Sequence, residues 1–185
     1  MSKPIRAFFA LKPDEDGLDF LTNRIQLFRA RGWEKHGRFI ESANLHVTMR
    51  FLGDLKPDKL EEIQGAAEEL ASKTQAFTYE LARAVLFPRV SRARVIASKI
   101  NATPEMRQLN RDLEKMATEV GLKGEKWMFR PHVTLARLKQ ANKRPNLPAR
   151  PGSLAQKAET LYVLQSTQTE FGHEYSEIAA FPFTG

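Results

Sequence analysis

The stretch "NLHVTMRFLG" (residues 44–53) is echoed by "RPHVTLAR" (residues 130–137), so two of the chain's four histidines stand in one tripeptide, His-Val-Thr. On an extended strand successive side chains point to opposite faces. His46 and Thr48 therefore share one face while Val47 and Met49 share the other, and His132 and Thr134 are set against Val133 and Leu135 in the same way. Each strand offers an apolar face to a core and a second face carrying an imidazole and a hydroxyl. A single histidine so placed is more often a surface or satisfied core residue than a catalyst. Two copies weigh differently: if two similar halves are brought together, their polar faces present two His and two Thr to one small ligand.

The flanking sequence supplies the elements that such halves need. Strand-like runs lie at residues 5–11, 46–52, 77–87, 94–100, 132–138, 159–166 and 174–181. Amphipathic helices are predicted where Leu18, Leu21, Ile25 and Phe28 recur before Gly32, where Leu60, Ile63, Ala67 and Leu70 follow Pro57, and where Met106, Leu109, Leu113, Met116 and Val120 run from Thr103-Pro104 to Gly121. In the last, Thr103 suits the N-cap, Pro104 the first helical position and Gly121 the position just past the end. Strands and helices mix without strict alternation, which favours α+β over a doubly wound parallel sheet. A chain of 185 residues is expected to form a single domain over residues 1–185. Residues 139–152, "KQANKRPNLPARPG", carry three prolines and four basic residues without apolar periodicity, and read as a solvated connection ahead of a substrate-touching lid.

Composition narrows the chemistry. Aliphatic and aromatic residues make up 42% and charged residues 28%, as in ordinary globular proteins. The absence of cysteine removes thiolate nucleophiles, disulfide scaffolds and Cys-ligated zinc. No apolar run has signal-peptide or membrane-spanning length, so a soluble cytoplasmic protein without membrane contact is expected. A net charge of +7 favours encounters with polyanions such as RNA.

Two imidazoles with ordinary pKa values of about 6.5 divide acid and base work at neutral pH, as displacement at phosphorus requires. Two hydroxyls donate hydrogen bonds to non-bridging phosphate oxygens as charge accumulates there. No G-x-S-x-G elbow points to acyl chemistry, and no phosphate-binding loop or K-x-D-G motif points to an ATP-driven ligase or kinase. Neither histidine motif has zinc-ligand spacing, so neither a metal nor a cofactor is expected.

The repeated H-x-T-x pattern resembles that of the two-histidine phosphoesterases, in particular the LigT-like bacterial RNA 2′,3′-cyclic phosphodiesterases, also called 2′-5′ RNA ligases. "RAFFALKP", "NLHVTMRFLGDL", "FRPHVTLARLK" and "LYVLQSTQTEFGHEYSEIAAFPF" resemble the family's first strand, two motifs and closing strands in order, over most of the chain. The resemblance implies a bilobal α+β fold, two sheet-bearing lobes related by a pseudo-two-fold around a V-shaped cleft. It implies His46 and His132 as the catalytic pair, with His132 as base and His46 as acid, and Thr48 and Thr134 as phosphate holders. It also implies RNA with 2′,3′-cyclic phosphate ends as partner and a 2′-phosphate as product. No obligate protein partner is inferred. The alternative is an RNA-end-binding module with the same fold and little catalysis.

Other side chains are placed by strand parity. Arg130 shares the parity of His132 and is a substrate-binding candidate, although Pro131 interrupts the strand. Arg137 has the opposite parity and needs a bulge or strand end to reach the histidines. Arg50 shares the parity of His46 and is expected at the cleft mouth, whereas Phe51 is expected in the core. His36 and His173 read as exposed loop residues.

Overall fold

The computed structural model describes residues 3–139, 147, 152–170 and 172–185. Most of the proline-rich connection expected at residues 139–152 therefore lies outside the described residues.

Nine strands form one antiparallel sheet: β1 (Ile5–Leu11), β2 (Gly37–Phe39), β3 (Val47–Leu55), β4 (Phe77–Phe87), β5 (Val95–Asn101), β6 (His132–Leu138), β7 (Leu154–Ala158), β8 (Thr160–Thr169) and β9 (Gly172–Pro182). The hydrogen-bonded order is β7-β4-β5-β6-β3-β1-β8-β9, with β2 added to β6. The two His-Val-Thr strands are thus central neighbours, four strands on each side of their junction. They touch in register at one pair only, Val47 opposite Val133. All seven strands expected from the sequence are present; β2 and β7 are additional.

The expected helices are present as α1 (Glu15–Ala30), α2 (Pro57–Ala71) and α3 (Pro104–Glu119). Their starts are written in the sequence. Asp14 accepts from the Gly17 N–H at 2.8 Å, and Thr103 accepts from the Met106 N–H at 3.3 Å with Pro104 following. Gly121 follows the end of α3 at φ 86°, the left-handed conformation that favours glycine.

The apolar stripes of the helices, including Leu21, Ile25, Leu60, Ile63, Leu109 and Leu113, pack with Phe9, Val47, Met49, Val133, Leu135 and Val163 into the main core. Alternation along β1 sends Phe9 and Leu11 to that core and Phe8 and Ala10 to the opposite, open face, where they meet Leu164, Tyr162 and Tyr175. The two faces of the sheet thus differ: one packs against the helices, and the other carries this small cluster.

Both motif strands carry a β-bulge at the same place. On β3, Thr48 pairs with Ala10 and Arg50 with Phe9, leaving Met49 as the extra residue; on β6, Thr134 pairs with Ala97 and Ala136 with Ile96, leaving Leu135. A bulge reverses the parity of everything beyond it. Arg50 is accordingly on the helix face, 1% exposed, donating to Glu114 at 2.7 Å and to the carbonyls of Phe51 and Lys123. Phe51 emerges on the open face, 58% exposed and 6.0 Å from the Phe8 ring. The parity-based expectations for these two residues are both overturned, and for one reason.

Candidate active site

His46 immediately precedes β3 and His132 begins β6, so the Val47–Val133 junction sets the two imidazoles on the open face. Each ring is fixed by the same device. Nδ1 of His46 lies 2.7 Å from the carbonyl oxygen of Asn44, and Nδ1 of His132 lies 2.9 Å from that of Arg130. A carbonyl only accepts, so both Nδ1 atoms carry the hydrogen, and in the neutral rings the lone pair sits on Nε2. Nε2 of His46 accepts from the Thr48 hydroxyl at 3.1 Å.

Aromatic side chains that the motifs do not announce wall the two rings. Phe8 and Tyr175 bracket His46 at centroid distances of 4.9 and 4.8 Å, and Phe87 stacks on His132 at 4.1 Å. The alternation of β1 carries the signal for Phe8, but Tyr175 and Phe87 arrive from strands distant in sequence. Loss of hydration against these rings is the main reason that His46 is pushed down to about 4, with the positive charges of His132, Arg137 and Lys12 adding to it and the Asn44 carbonyl opposing it. Burial likewise pushes His132 below its ordinary value, helped by Arg130 and Arg137 and opposed by the Arg130 carbonyl. Both rings are neutral near pH 7 in the free protein.

Thr48 and Thr134 are half-buried at equivalent places just before the bulges, on the face that bears the histidines. Arg130 is exposed, but its guanidinium lies 4.7 Å above the Phe87 ring and donates to the Pro88 carbonyl at 3.1 Å, which sets it beside His132 rather than between the two histidines. Arg137 benefits from the bulge at Leu135: it pairs with Val95, is exposed, and occupies the position on β6 that Phe51 occupies on β3. Its charge is felt by His46, His132 and His173. The bulge that Arg137 requires to reach the open face is present.

His173 is not in a loop. It lies on β9, opposite Gln168, with Nδ1 3.2 Å from the Ser166 hydroxyl, while its carbonyl accepts from Asn44. His36 ends a short 3-10 turn, half-buried with its ring edge-on to Trp33, and its carbonyl accepts from the Lys139 N–H just past the end of β6. Among the described residues no three His, Asp or Glu side chains cluster as metal ligands would.

The 2′-5′ RNA ligase superfamily model matches residues 19–163, the greater part of the chain and both motifs. The chain belongs to that superfamily. An Aeropyrum pernix protein named RNA 2′,3′-cyclic phosphodiesterase is 38% identical over 112 residues, which cover 60% of each chain. A Methanothermobacter thermautotrophicus protein of the same name is 26% identical over 183 residues, covering 96% of this chain and 98% of that one. Escherichia coli LigT in its apo form superposes with a TM-score of 0.76 at 24% identity, covering 100% of both chains, which shows a shared fold. The chain thus has the α+β, LigT-like architecture that the resemblance implies. No described helix is long and apolar enough to cross a membrane.

Proposed function

We propose that this superfamily member is a metal-independent RNA 2′,3′-cyclic phosphodiesterase that opens the cyclic phosphate to a 2′-phosphate. The observation that carries the reading is the matched pair of imidazoles, each with Nδ1–H committed to a backbone carbonyl two residues upstream, so that Nε2, which in His46 accepts from the Thr48 hydroxyl, is the nitrogen that exchanges a proton. The names of the A. pernix and M. thermautotrophicus relatives support the substrate class. In this reading the four strands on either side of the β3–β6 junction are the two lobes of one domain, related by a pseudo-two-fold, and the open face between them is a V-shaped cleft.

The step balances with these groups alone. Water attacks phosphorus as Nε2 of His132 takes its proton; the P–O3′ bond breaks as protonated Nε2 of His46 gives its proton to the 3′ oxygen. Thr48 and Thr134 donate to the non-bridging oxygens, and Arg137 supplies positive charge to the same group. A phosphodiester between the rings carries the negative charge that favours a protonated His46, offsetting the wall of Phe8 and Tyr175. The 5′-hydroxyl of a second RNA can replace water and form a 2′-5′ linkage, and with no ATP-binding motif to drive it, joining is weak and reversible.

A 2′,3′-cyclic-ended oligonucleotide incubated with the protein and resolved by phosphorus NMR tests the reading. The expected product is the 2′-phosphate, with hydrolysis exceeding ligation in dilute RNA. A 3′-phosphate reverses the orientation of the ribose, and binding without turnover favours the RNA-end-binding module.

The depressed histidines give a second expectation. The free protein must hold one imidazole protonated and one neutral, and both pKa values lie below 6.5. Above them the acid is lost and below them the base is lost, so kcat/KM is bell-shaped with its maximum below about pH 6.5. The kcat profile lies at higher pH, because bound phosphodiester raises both rings. Measuring both between about pH 4 and 9 in excess EDTA checks this. A kcat/KM still rising above neutrality, or activity lost to chelator and restored by a divalent ion, contradicts it.

A further inference from the structure

The charge of the molecule is unevenly placed, and the site alone does not use it. Residues 77–158, which contain β4 to β7, hold seventeen Lys and Arg against six Asp and Glu, whereas residues 159–185 hold four Glu and no Lys or Arg. From Leu81 to Pro104 there are five basic residues and no acidic one. Beside His46, the cation of Lys12 is already committed: it bridges to Glu177 at 2.5 Å and lies 4.3 Å above the Tyr162 ring. The open face near His46 is therefore aromatic with Lys12 already paired, while the cations near His132 lie on β4 and β5.

On that second side three strands place a row of positive groups at the level of His132. Lys99 on β5 is directly opposite His132 on β6. On β4, Leu81 pairs with Ile100 and Ala84 with Ser98, so Ala82 and Arg83 together face Lys99, and this bulge turns Arg83 outward. Arg83 and Lys99 are exposed, and among the described residues neither has a carboxylate partner. With Asn101, Ala82, Gly152 and Ser153 they line an open groove. The neighbouring carboxylate of Glu80 accepts from Asn101 at 3.3 Å. Beneath the groove the buried guanidinium of Arg24 donates to the carbonyls of Ala82 and Gly152 and so places a further positive group under its floor.

We infer that the Arg83–Lys99 groove is a phosphate track that carries the RNA strand 5′ of the cyclic end. This rests on the phosphodiesterase reading for the end itself. A cyclic 2′,3′-phosphate closes the 3′ end of its strand, so the rest of the chain leaves only through the ribose C5′. Arg83 lies two strand spacings from His132, roughly 10 Å, which is within reach of the first phosphates upstream. On the other side Lys12 is neutralised by Glu177 and Glu174 adds a negative charge, so the Arg83–Lys99 side is the better match for them. The track makes oligonucleotides, rather than mononucleotides, the preferred substrate class, and gives their binding a salt dependence that a single cyclic phosphate does not have.

The test is the double variant Arg83→Gln with Lys99→Gln, assayed on a short RNA ending in a 2′,3′-cyclic phosphate and on a 2′,3′-cyclic mononucleotide. The KM for the oligonucleotide rises on the order of tenfold, and the slope of log kcat/KM against log salt shrinks by about 1.4, the value for two lost contacts to a single strand. The mononucleotide kcat/KM stays within about twofold of wild type. Removing two equal charges from the outer face of α3, by Arg111→Gln with Lys115→Gln, leaves both substrates unchanged. An unmoved oligonucleotide KM, or an equal fall for both substrates, overturns the track. Fluorescence anisotropy with a labelled RNA ending in a 2′-phosphate separates the two readings. If wild type turns over neither substrate yet binds this RNA and the double variant binds it on the order of tenfold more weakly, the track stands and the phosphodiesterase reading falls. If wild type does not bind it, or the variant binds equally well, the track falls.

Discussion

Changing either His46 or His132 to alanine is expected to lower kcat by at least about 10²-fold while leaving the protein folded. The two losses have different signatures. Without the base, water is no longer deprotonated as it attacks, and the acidic limb of the pH profile disappears; without the acid, the 3′ oxygen departs unprotonated and the alkaline limb disappears. Each ring is also a packing element, His46 between Phe8 and Tyr175 and His132 on Phe87, so alanine leaves a small void against aromatic walls. Asparagine is the control for this. Its amide N–H can take over the bond that Nδ1–H makes to the carbonyl of Asn44 or Arg130, filling part of the void while supplying no proton-transfer group. Both substitutions should therefore be equally inactive at unchanged or nearly unchanged thermal midpoint. Near-wild-type turnover in any of the four variants removes that histidine from the mechanism. A single-turnover measurement, which excludes product release as the slow step, is the assay to use.

The fold was legible in the sequence wherever periodicity ran uninterrupted. The apolar spacings of the three helices, the caps at Thr103 and Pro104, and the alternation that opposes His46 and Thr48 to Val47 all appear in three dimensions. What escaped was short or non-local. Strand β2 has three residues, "GRF", and exists because residues before the first motif cover the edge of β6; β7, "LAQKA", has no apolar alternation and is defined by its pairing with β4. His173 was hidden in the same way, since a turn-like context in sequence turned out to be the start of a long strand paired with β8. The bulges at Met49 and Leu135 are the clearest case. Nothing in "HVTMRF" or "HVTLAR" marks the extra residue, because it is defined only by what β1 and β5 place opposite. Up to the bulged residues Met49 and Leu135, parity read the face correctly; just beyond them it inverted, which sent Arg50 into a buried ion pair with Glu114 and brought Phe51 and Arg137 to the open face.

The same bulges bear on the threonines, for which valine is the informative change. Valine keeps the branched shape that packs in a strand and removes only the hydroxyl, and serine keeps the hydroxyl and removes only the methyl. In the absence of ligand the Thr48 hydroxyl donates to Nε2 of His46, so the group that would hold the phosphate also occupies the lone pair that would receive a proton. When a phosphodiester enters, the hydroxyl must turn to a non-bridging oxygen, which frees Nε2 to hold the proton that the leaving oxygen will take. Thr48→Val should thus reduce kcat by roughly 10-fold to 10³-fold, the range for losing one donor to a charge that grows in the transition state, and Thr134→Val should fall in the same range on the other lobe. Thr48→Ser and Thr134→Ser should each stay within about tenfold of wild type. The two valine variants differ in one respect that tests the geometry: only Thr48→Val releases Nε2 of His46 in the free protein, so only it should shift the pH dependence of kcat/KM as well as its height. Losing a donor to the neutral lone pair makes that neutral form less favourable, so the pKa of His46 rises and the alkaline limb moves to higher pH. Valine variants that keep full activity, or that lose it only through a lowered thermal midpoint shared by the serine variants, would reduce both threonines to structural residues.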